Sequence, residues 1–209
     1  MVTTPLTPAA VHDWVAARSI ARDLPPPVSD HGGWRVETAS AAEACRYFFA
    51  QASPAMAELA RRIDRPRVFL KLCDSVEVLA AALPPRWTVI GETWMMAGRP
   101  CAMPVIDDRY RLERAGDARR LTVIIRDAEG AVAASGHGAA SGGVFAYDRI
   151  VTAEGHRRRQ LGRTVMAALG EGAPVGAAHL LAATAMGRAL YESIGWQVRS
   201  DYATAVIPG

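Results

Sequence analysis

Residues 156–163 read His-Arg-Arg-Arg-Gln-Leu-Gly-Arg, five basic side chains within eight positions. The segment follows a β-branched and aromatic run at residues 147–152 and enters a stretch in which Leu161, Val165 and Leu169 recur at helical spacing. This order predicts a strand-to-helix junction with the basic residues on the first turn of the helix. A helix start is already positive through its unpaired N–H groups and its macrodipole, so each cation there costs about 0.3–1 kcal/mol unless an anion offsets it. The amides of residues 158–163, with Arg157, Arg158, Arg159 and Arg163 around them, make a site suited to a phosphate or pyrophosphate. Placement carries this reading, because Lys71 is the only lysine among 24 Lys and Arg residues and arginine is the general cation of the chain. Arg61 and Arg62, on a predicted helix face, read as solvated surface.

Composition narrows what the junction could serve. The chain has 209 residues, 50% hydrophobic and 22% charged, which suits a globular protein with one substantial core or two small ones. A formal charge of +3 does not ask for nucleic acid, few aromatic platforms flank the basic run, and no recognition-helix motif is present. A phosphate clamp on DNA or RNA therefore stands as a rival reading, one that predicts steeply salt-dependent affinity, and no nucleic-acid partner is expected. No apolar run reaches the roughly 18–20 residues of a membrane span, and residues 1–8 lack the pattern of a secretory signal, so neither a membrane partner nor export is expected and the cytoplasm is the expected compartment. Cys45, Cys73 and Cys101 are odd in number and have no C-x-x-C or histidine pairing, which predicts buried thiols, no disulfide framework and no metal.

The elements that position the junction follow from periodicity and breakers. A helix is predicted over residues 8–24, stopped by Pro25, Pro26 and Pro27. A strand at 34–38 precedes a helical pattern that starts at Ser40, with Glu43 in the capping-box position, and runs towards Ile63, split at Pro54. A strand at 68–73, a helix at 75–83 and a strand at 87–96 complete a β, α, β, α, β first half. Residues 98–104, with Gly98, Pro100 and Pro104, are the best boundary, giving an N-terminal α/β region at 1–104 and a second region at 105–209. Beyond it, strands at 110–113, 121–126, 131–140 and 144–152 joined by tight turns predict an antiparallel meander. A helix at 161–169, a strand at 178–183, a helix at 185–194 stopped by Gly195 and a strand at 197–206 follow. Trp87, Trp94, Met95, Met96 and Met103 read as an apolar cluster between the halves, either core or the wall of an apolar pocket.

Two of these segments carry a resemblance. Arg157 to Gly162 is similar to the pyrophosphate loop of the GCN5-related N-acetyltransferases, Arg/Gln-x-x-Gly-x-Gly/Ala, matching at Arg157 and Gly162 with Gln160 in place of the first glycine. The run Ala189-Leu190-Tyr191-Glu192-Ser193-Ile194-Gly195-Trp196 resembles the late helix of that superfamily, Leu-Tyr-x-x-x-Gly-Phe, at the expected distance downstream. The resemblance covers about half of the chain, from residue 110 onward. It implies an α+β fold, a mixed and largely antiparallel central sheet flanked by helices. The β, α, β, α, β order of the first half echoes the end of the same fold, which leaves open a degenerate tandem copy without a phosphate loop or a substrate-side accessory.

What the resemblance implies for function is transfer of an acetyl group from acetyl-CoA, as cosubstrate, directly to a primary amine on a small molecule or peptide, with no metal, by a monomer or homodimer. The pantetheine arm would pair with Ile150, Val151 and Thr152, and the pyrophosphate would rest on the amides of Arg158, Arg159, Gln160, Leu161, Gly162 and Arg163. Tyr191 would be the general acid. A phenol near pKa ~10 facing a thiol near ~8.5 makes full proton transfer uphill by roughly 2 kcal/mol, so it would act chiefly as a hydrogen-bond donor to the leaving sulfur. A side chain at Gln160 is tolerable if that residue is helical, and costly if φ must be positive. The general base is open among Glu92, placed by alternation with Ile90, Trp94 and Met96; Asp148, placed with Val144, Ala146 and Ile150; and His137. A catalytically degenerate CoA-binding sensor is the alternative that Gln160 suggests.

Overall fold

The computed structural model describes residues 6–38, 40–117 and 119–209, with the side chain of Glu92 outside the described set. In chain order the elements are α1 (Pro8–Ala21), β1 (Val28–Asp30), β2 (Gly33–Glu37), β3 (Cys45–Phe49), α2 (Pro54–Arg62), β4 (Val68–Leu72), α3 (Val76–Ala82) and β5 (Thr88–Gly98). Then come β6 (Arg111–Gly116), β7 (Arg120–Arg126), β8 (Val132–Ser141), β9 (Val144–Thr152), a 3-10 turn (Glu154–His156), α4 (Leu161–Glu171), β10 (Ala178–Ala183), α5 (Ala185–Ser193) and β11 (Gln197–Val206). All described strands join one sheet in the order β1-β2-β3-β4-β11-β5-β10-β9-β8-β7-β6. Among the described strands only β3/β4 and β9/β10 pair in parallel. The architecture is thus α+β with a mixed, largely antiparallel sheet, and the meander β6 to β9 forms as its turn residues require.

The order is nearly palindromic about β11 and β5. Each half runs strand, helix, strand, helix, strand (β3-α2-β4-α3-β5 and β9-α4-β10-α5-β11), and the two last strands pair antiparallel from Gln197 against Ala97 to Val206 against Thr88. Each then lies inside the other half's sheet: β5 between β10 and β11, β11 between β4 and β5. A boundary at residue 104 therefore marks a change of pattern but not an edge of packing. The β3 strand occupies the place where a helix was expected. Ser40 and Glu43 do interact as a capping box would, Glu43 N donating to Ser40 Oγ at 3.0 Å, but they close a turn that leads into a strand. Cys45, Tyr47, Phe48 and Phe49 are all buried, and a run that is apolar on both faces suits an interior strand better than a helix.

One face of the sheet carries α2 and α3 over a core that includes Tyr47, Leu70 and Trp87, and α4 and α5 over a core built on Phe145, Val165 and Met96. The opposite face carries α1, whose Val11, Trp14 and Val15 pack on Phe48, Met95, Val144, Ala146 and Tyr202. The expected apolar cluster at residues 87–103 is consequently divided. Trp87 lies under α2 with Nε1 donating to Ala60 O at 3.0 Å, Met96 lies under α4, Met95 lies under α1, and Met103 is largely at the surface. Strand alternation separates Met95 from Met96, and a bulge at Ile90, which has no partner between Val89 and Gly91, breaks the alternation before it reaches Trp94.

Candidate acyl-CoA site

Parallel pairing of β9 with β10 is confined to Val144, Phe145 and Ala146 against Ala178, His179 and Leu180. Beyond Ala146 the two strands part, and β9 continues through Thr152 on β8 alone. At the same place β9 carries a bulge: Arg149 and Ile150 together oppose Gly136, with Arg149 at φ +51°. The bulge has two effects. It turns the strand away from β10, and it reverses the alternation, so that Ile150 packs under α4 while Val144, Ala146 and Asp148 face α1. Asp148 and Ile150 therefore do not share a face, contrary to the simple period. Val151 is exposed, and the peptide groups of residues 147–152 on the side towards β10 have no strand beside them.

The opening ends in the basic loop. Arg157, Arg158 and Arg159 are exposed and precede the helix, which begins at Leu161, so they border its N-terminus and do not stand on its first turn. Arg158 and Gln160 both have φ +61°, while Arg157 has φ −66°. The chain therefore goes from extended at Arg157 to left-handed at Arg158 and again at Gln160, and turns sharply just before the helix. Gln160 is thus left-handed, not helical, and bears the strain a glycine would avoid. Among the described residues no partner accepts from the N–H groups of residues 158–163. Thr7, Ser53, Ser75 and Thr184 cap α1, α2, α3 and α5 through their side-chain oxygens, whereas Gln160 makes no such bond and leaves the start of α4 open. Leu161 is in the core and offers only its amide, and Arg163 lies against Cys101 in the connector, whose thiol faces the Arg163 carbonyl at 3.7 Å.

A cleft of about 430 Å³ adjoins the loop, with Arg158 and Gln160 on one wall and Ile106, Asp107, Arg109 and Tyr110 on the other. Tyr110 Oη accepts from Arg159 Nη1 at 3.0 Å and meets His156 Nδ1 at 3.0 Å, which orders the loop. Sequence periodicity gave no sign of this wall, because residues 105–110 form no regular element and reach the loop only through the tertiary fold.

Tyr191 is buried on α5 with its ring 6.1 Å from that of Trp196. Burial, and to a lesser degree the Asp148 carboxylate, push its hydroxyl up to about 12. Asp148 itself lies between two guanidinium groups. Arg18 Nε is 3.0 Å from Oδ1, and Arg22 reaches Oδ2 at 2.6 Å and Oδ1 at 2.9 Å. Burial would raise its pKa, but the two arginines outweigh burial and hold it below the ordinary value. His137 is the cross-strand partner of Asp148, its Nδ1 is 3.1 Å from Thr122 Oγ1, and burial together with Arg149 keeps its pKa below the usual imidazole value. The Glu92 side chain lies outside the described residues.

The sequence matches no protein-family model and no curated protein. Solved structures do match over nearly the whole length. A GCN5-related N-acetyltransferase from Kribbella flavida is 15% identical, covers 92% of each chain and superposes with a TM-score of 0.62. The chain has the GCN5-related N-acetyltransferase fold. A tandem GNAT protein from the clavulanic acid biosynthesis pathway, solved without AcCoA, is 15% identical over 100% of this chain and 99% of its own, with a TM-score of 0.58. A GCN5-related N-acetyltransferase from Sphaerobacter thermophilus is 11% identical over 100% and 96%, with a TM-score of 0.55. In the terms of this fold, the parted strands β9 and β10 and the open loop before α4 lie in the second half. The first half has neither: β3 and β4 stay paired at all five positions, and α2 begins with Pro54, which has no N–H, behind a serine cap.

Proposed function

We propose that the protein is an N-acyltransferase that uses acetyl-CoA through its second half. The observation that carries this reading is the parting of β9 from β10 directly above an uncapped, arginine-lined helix start. Unpaired strand edges accept an extended amide-containing arm by strand addition, and the uncapped helix start beyond them suits its diphosphate. Ile150, Val151 and Thr152 would flank the arm, and the amides of residues 158–163 with Arg157 and Arg158 would hold the pyrophosphate. The cosubstrate supplies a thioester; the chain supplies position, which accounts for much of the acceleration in a reaction between two bound groups.

Tyr191 faces the leaving sulfur in this reading. With its hydroxyl near 12 and a thiol near ~8.5, complete proton transfer is uphill by about 5 kcal/mol, so Tyr191 donates a hydrogen bond to the forming thiolate and keeps its proton. Asp148 is a poor base, because taking up a proton would break its bonds to Arg18 and Arg22. His137 is better suited: its lowered pKa leaves it neutral at pH 7, and Nε2 is free of the Thr122 contact that Nδ1 makes. The first half is read as a tandem copy that has closed its own cleft, in keeping with the palindromic sheet and with the tandem relative.

Calorimetry with acetyl-CoA and a thiol-release assay over primary amines test the reading. Acetyl-CoA should bind with a micromolar Kd, and Tyr191→Phe should lower kcat at least tenfold with the Kd unchanged within threefold. Absence of acetyl-CoA binding would remove the proposal, and unchanged turnover in Tyr191→Phe would remove the role of Tyr191. Tight binding without turnover on any amine would favour a sensor.

A further inference from the structure

A chain of polar side chains braces the basic loop from outside. Asp127 closes the turn between β7 and β8: Gly130 N donates to its carbonyl at 3.1 Å and Ala131 N to its Oδ1 at 2.8 Å. The other carboxylate oxygen, Oδ2, lies 3.4 Å from Nε2 of His156, at the end of the 3-10 turn. On the far side of the imidazole, Nδ1 is 3.0 Å from Tyr110 Oη, and that oxygen accepts from Arg159 Nη1 at 3.0 Å. Asp107 fixes Tyr110 in turn: its carboxylate accepts from Arg109 N at 3.0 Å and its carbonyl from Tyr110 N at 3.1 Å. The Tyr110 ring is sunk in the core and stands edge-on to the imidazole, with centroids 5.7 Å apart. Groups from the β7–β8 turn, the connector and the loop itself thus converge on one guanidinium.

Proton placement gives this chain a direction. A carboxylate beside Nε2 favours the proton there, and a neutral imidazole then presents only a lone pair at Nδ1. Tyr110 donates its hydroxyl proton to Nδ1, which leaves the lone pairs of Oη for Arg159, a bond strengthened by the charge on the donor. Among the described residues Arg159 is the only one of the three consecutive arginines held by another side chain. It also borders the cleft beside Gln160, directly before the open start of α4. An arginine has much rotamer freedom to lose when it grips a ligand, so a guanidinium already held in place loses less on binding. One of its N–H groups is committed to Tyr110, and the others are left for an anion.

We propose that Arg159 contacts the diphosphate of the acyl-CoA and that Tyr110 and His156 are positioning residues that aim it. The inference rests on the acyltransferase reading and adds to the loop amides a side chain whose direction is set from the segment between the two halves. That segment then takes part in cosubstrate binding, although it forms no regular element.

Calorimetry with acetyl-CoA on the full-length protein tests this through a double-mutant cycle. Arg159→Met and Tyr110→Phe should each weaken acetyl-CoA by about fivefold or more, and the double variant should bind within about twofold of Arg159→Met alone, because Tyr110 acts through Arg159. Losses that multiply in the double variant assign Tyr110 to the fold alone and overturn the proposal, as does an unchanged Kd in either single variant. His156→Leu should match Tyr110→Phe, while His156→Asn, whose amide oxygen takes the place of Nδ1 as acceptor, should bind within about twofold of wild type. Equal losses in the Leu and Asn variants overturn the role of His156. Wild-type protein that does not bind acetyl-CoA overturns the acyltransferase reading and this inference with it, whereas binding that survives intact in the variants overturns this inference alone.

Discussion

Asp148 shows how one side chain ties the chain's first helix to a strand well over a hundred residues away. Its carboxylate is almost fully buried between Arg18 and Arg22, and removing it would strand two guanidinium groups in a poorly solvated interface. Asp148→Asn should cost about 3 kcal/mol in urea unfolding. Because the folded pKa is depressed, the contribution of the carboxylate is complete above its unfolded value of ~3.9 and is lost as pH falls through the lower folded value. Lys71 behaves in the opposite sense to a paired lysine. Its folded pKa of about 7 lies below the unfolded ~10.4, so between these values the unfolded chain binds the extra proton and stability rises with pH, by at most about 1.4 kcal/mol per unit. Lys71→Met should remove that slope, and a wild-type profile flat from pH 7 to 10 would show the amine to be solvated. At Gln160 the left-handed backbone already presents the amides as a glycine would, so Gln160→Gly should stabilise the fold by about 1 kcal/mol and change the acetyl-CoA Kd less than threefold.

The junction of β9 with α4 works because two adjacent devices act together. The bulge at Arg149 and Ile150 parts the strands, and Gly136 opposite makes room for it: a Cβ there would lie 2.5 Å from Ile150 Cδ1 and 2.6 Å from Val165 Cγ1. Gly136→Ala should therefore cost about 1–3 kcal/mol and, by displacing Ile150, weaken acetyl-CoA binding several-fold; full affinity would mean the bulge does not shape the cleft. The uncapped start of α4 is the second device, and α2 supplies an internal contrast, since Ser53 and Pro54 satisfy or remove the N–H groups that α4 leaves free. The loop and the Tyr191 helix were legible because their residue types and spacing are local. The strand β3 was not, since the Ser40 and Glu43 turn imitates a helix start and only burial on both faces distinguishes the two.

Exchange of β5 and β11 makes the molecule one cooperative unit. Residues 105–209 alone would lack the strand that lies between β10 and β11, leaving two apolar edges open. That fragment should show no cooperative thermal transition by circular dichroism, whereas coexpression with residues 1–104 should restore one; a fragment that melts cooperatively by itself would show the halves to be separable. The same exchange lets α1 lie across both halves, with Phe48 of the first and Val144 and Ala146 of the second under it, so the N-terminal helix completes a face of the C-terminal half.

By itself the sequence determined the kind of structure at several local steps: the meander, the strand-to-helix junction, the late helix and the arginine-rich loop before α4. These are set by hydrophobic period, breakers and helix-end electrostatics, all of which act within a few residues. Tertiary structure decided what period alone does not carry, namely which half keeps an open cleft, on which face Asp148 and Ile150 fall, and which cations share Asp148. Those outcomes depend on strand register and bulges, and register is fixed only when a strand meets its neighbour.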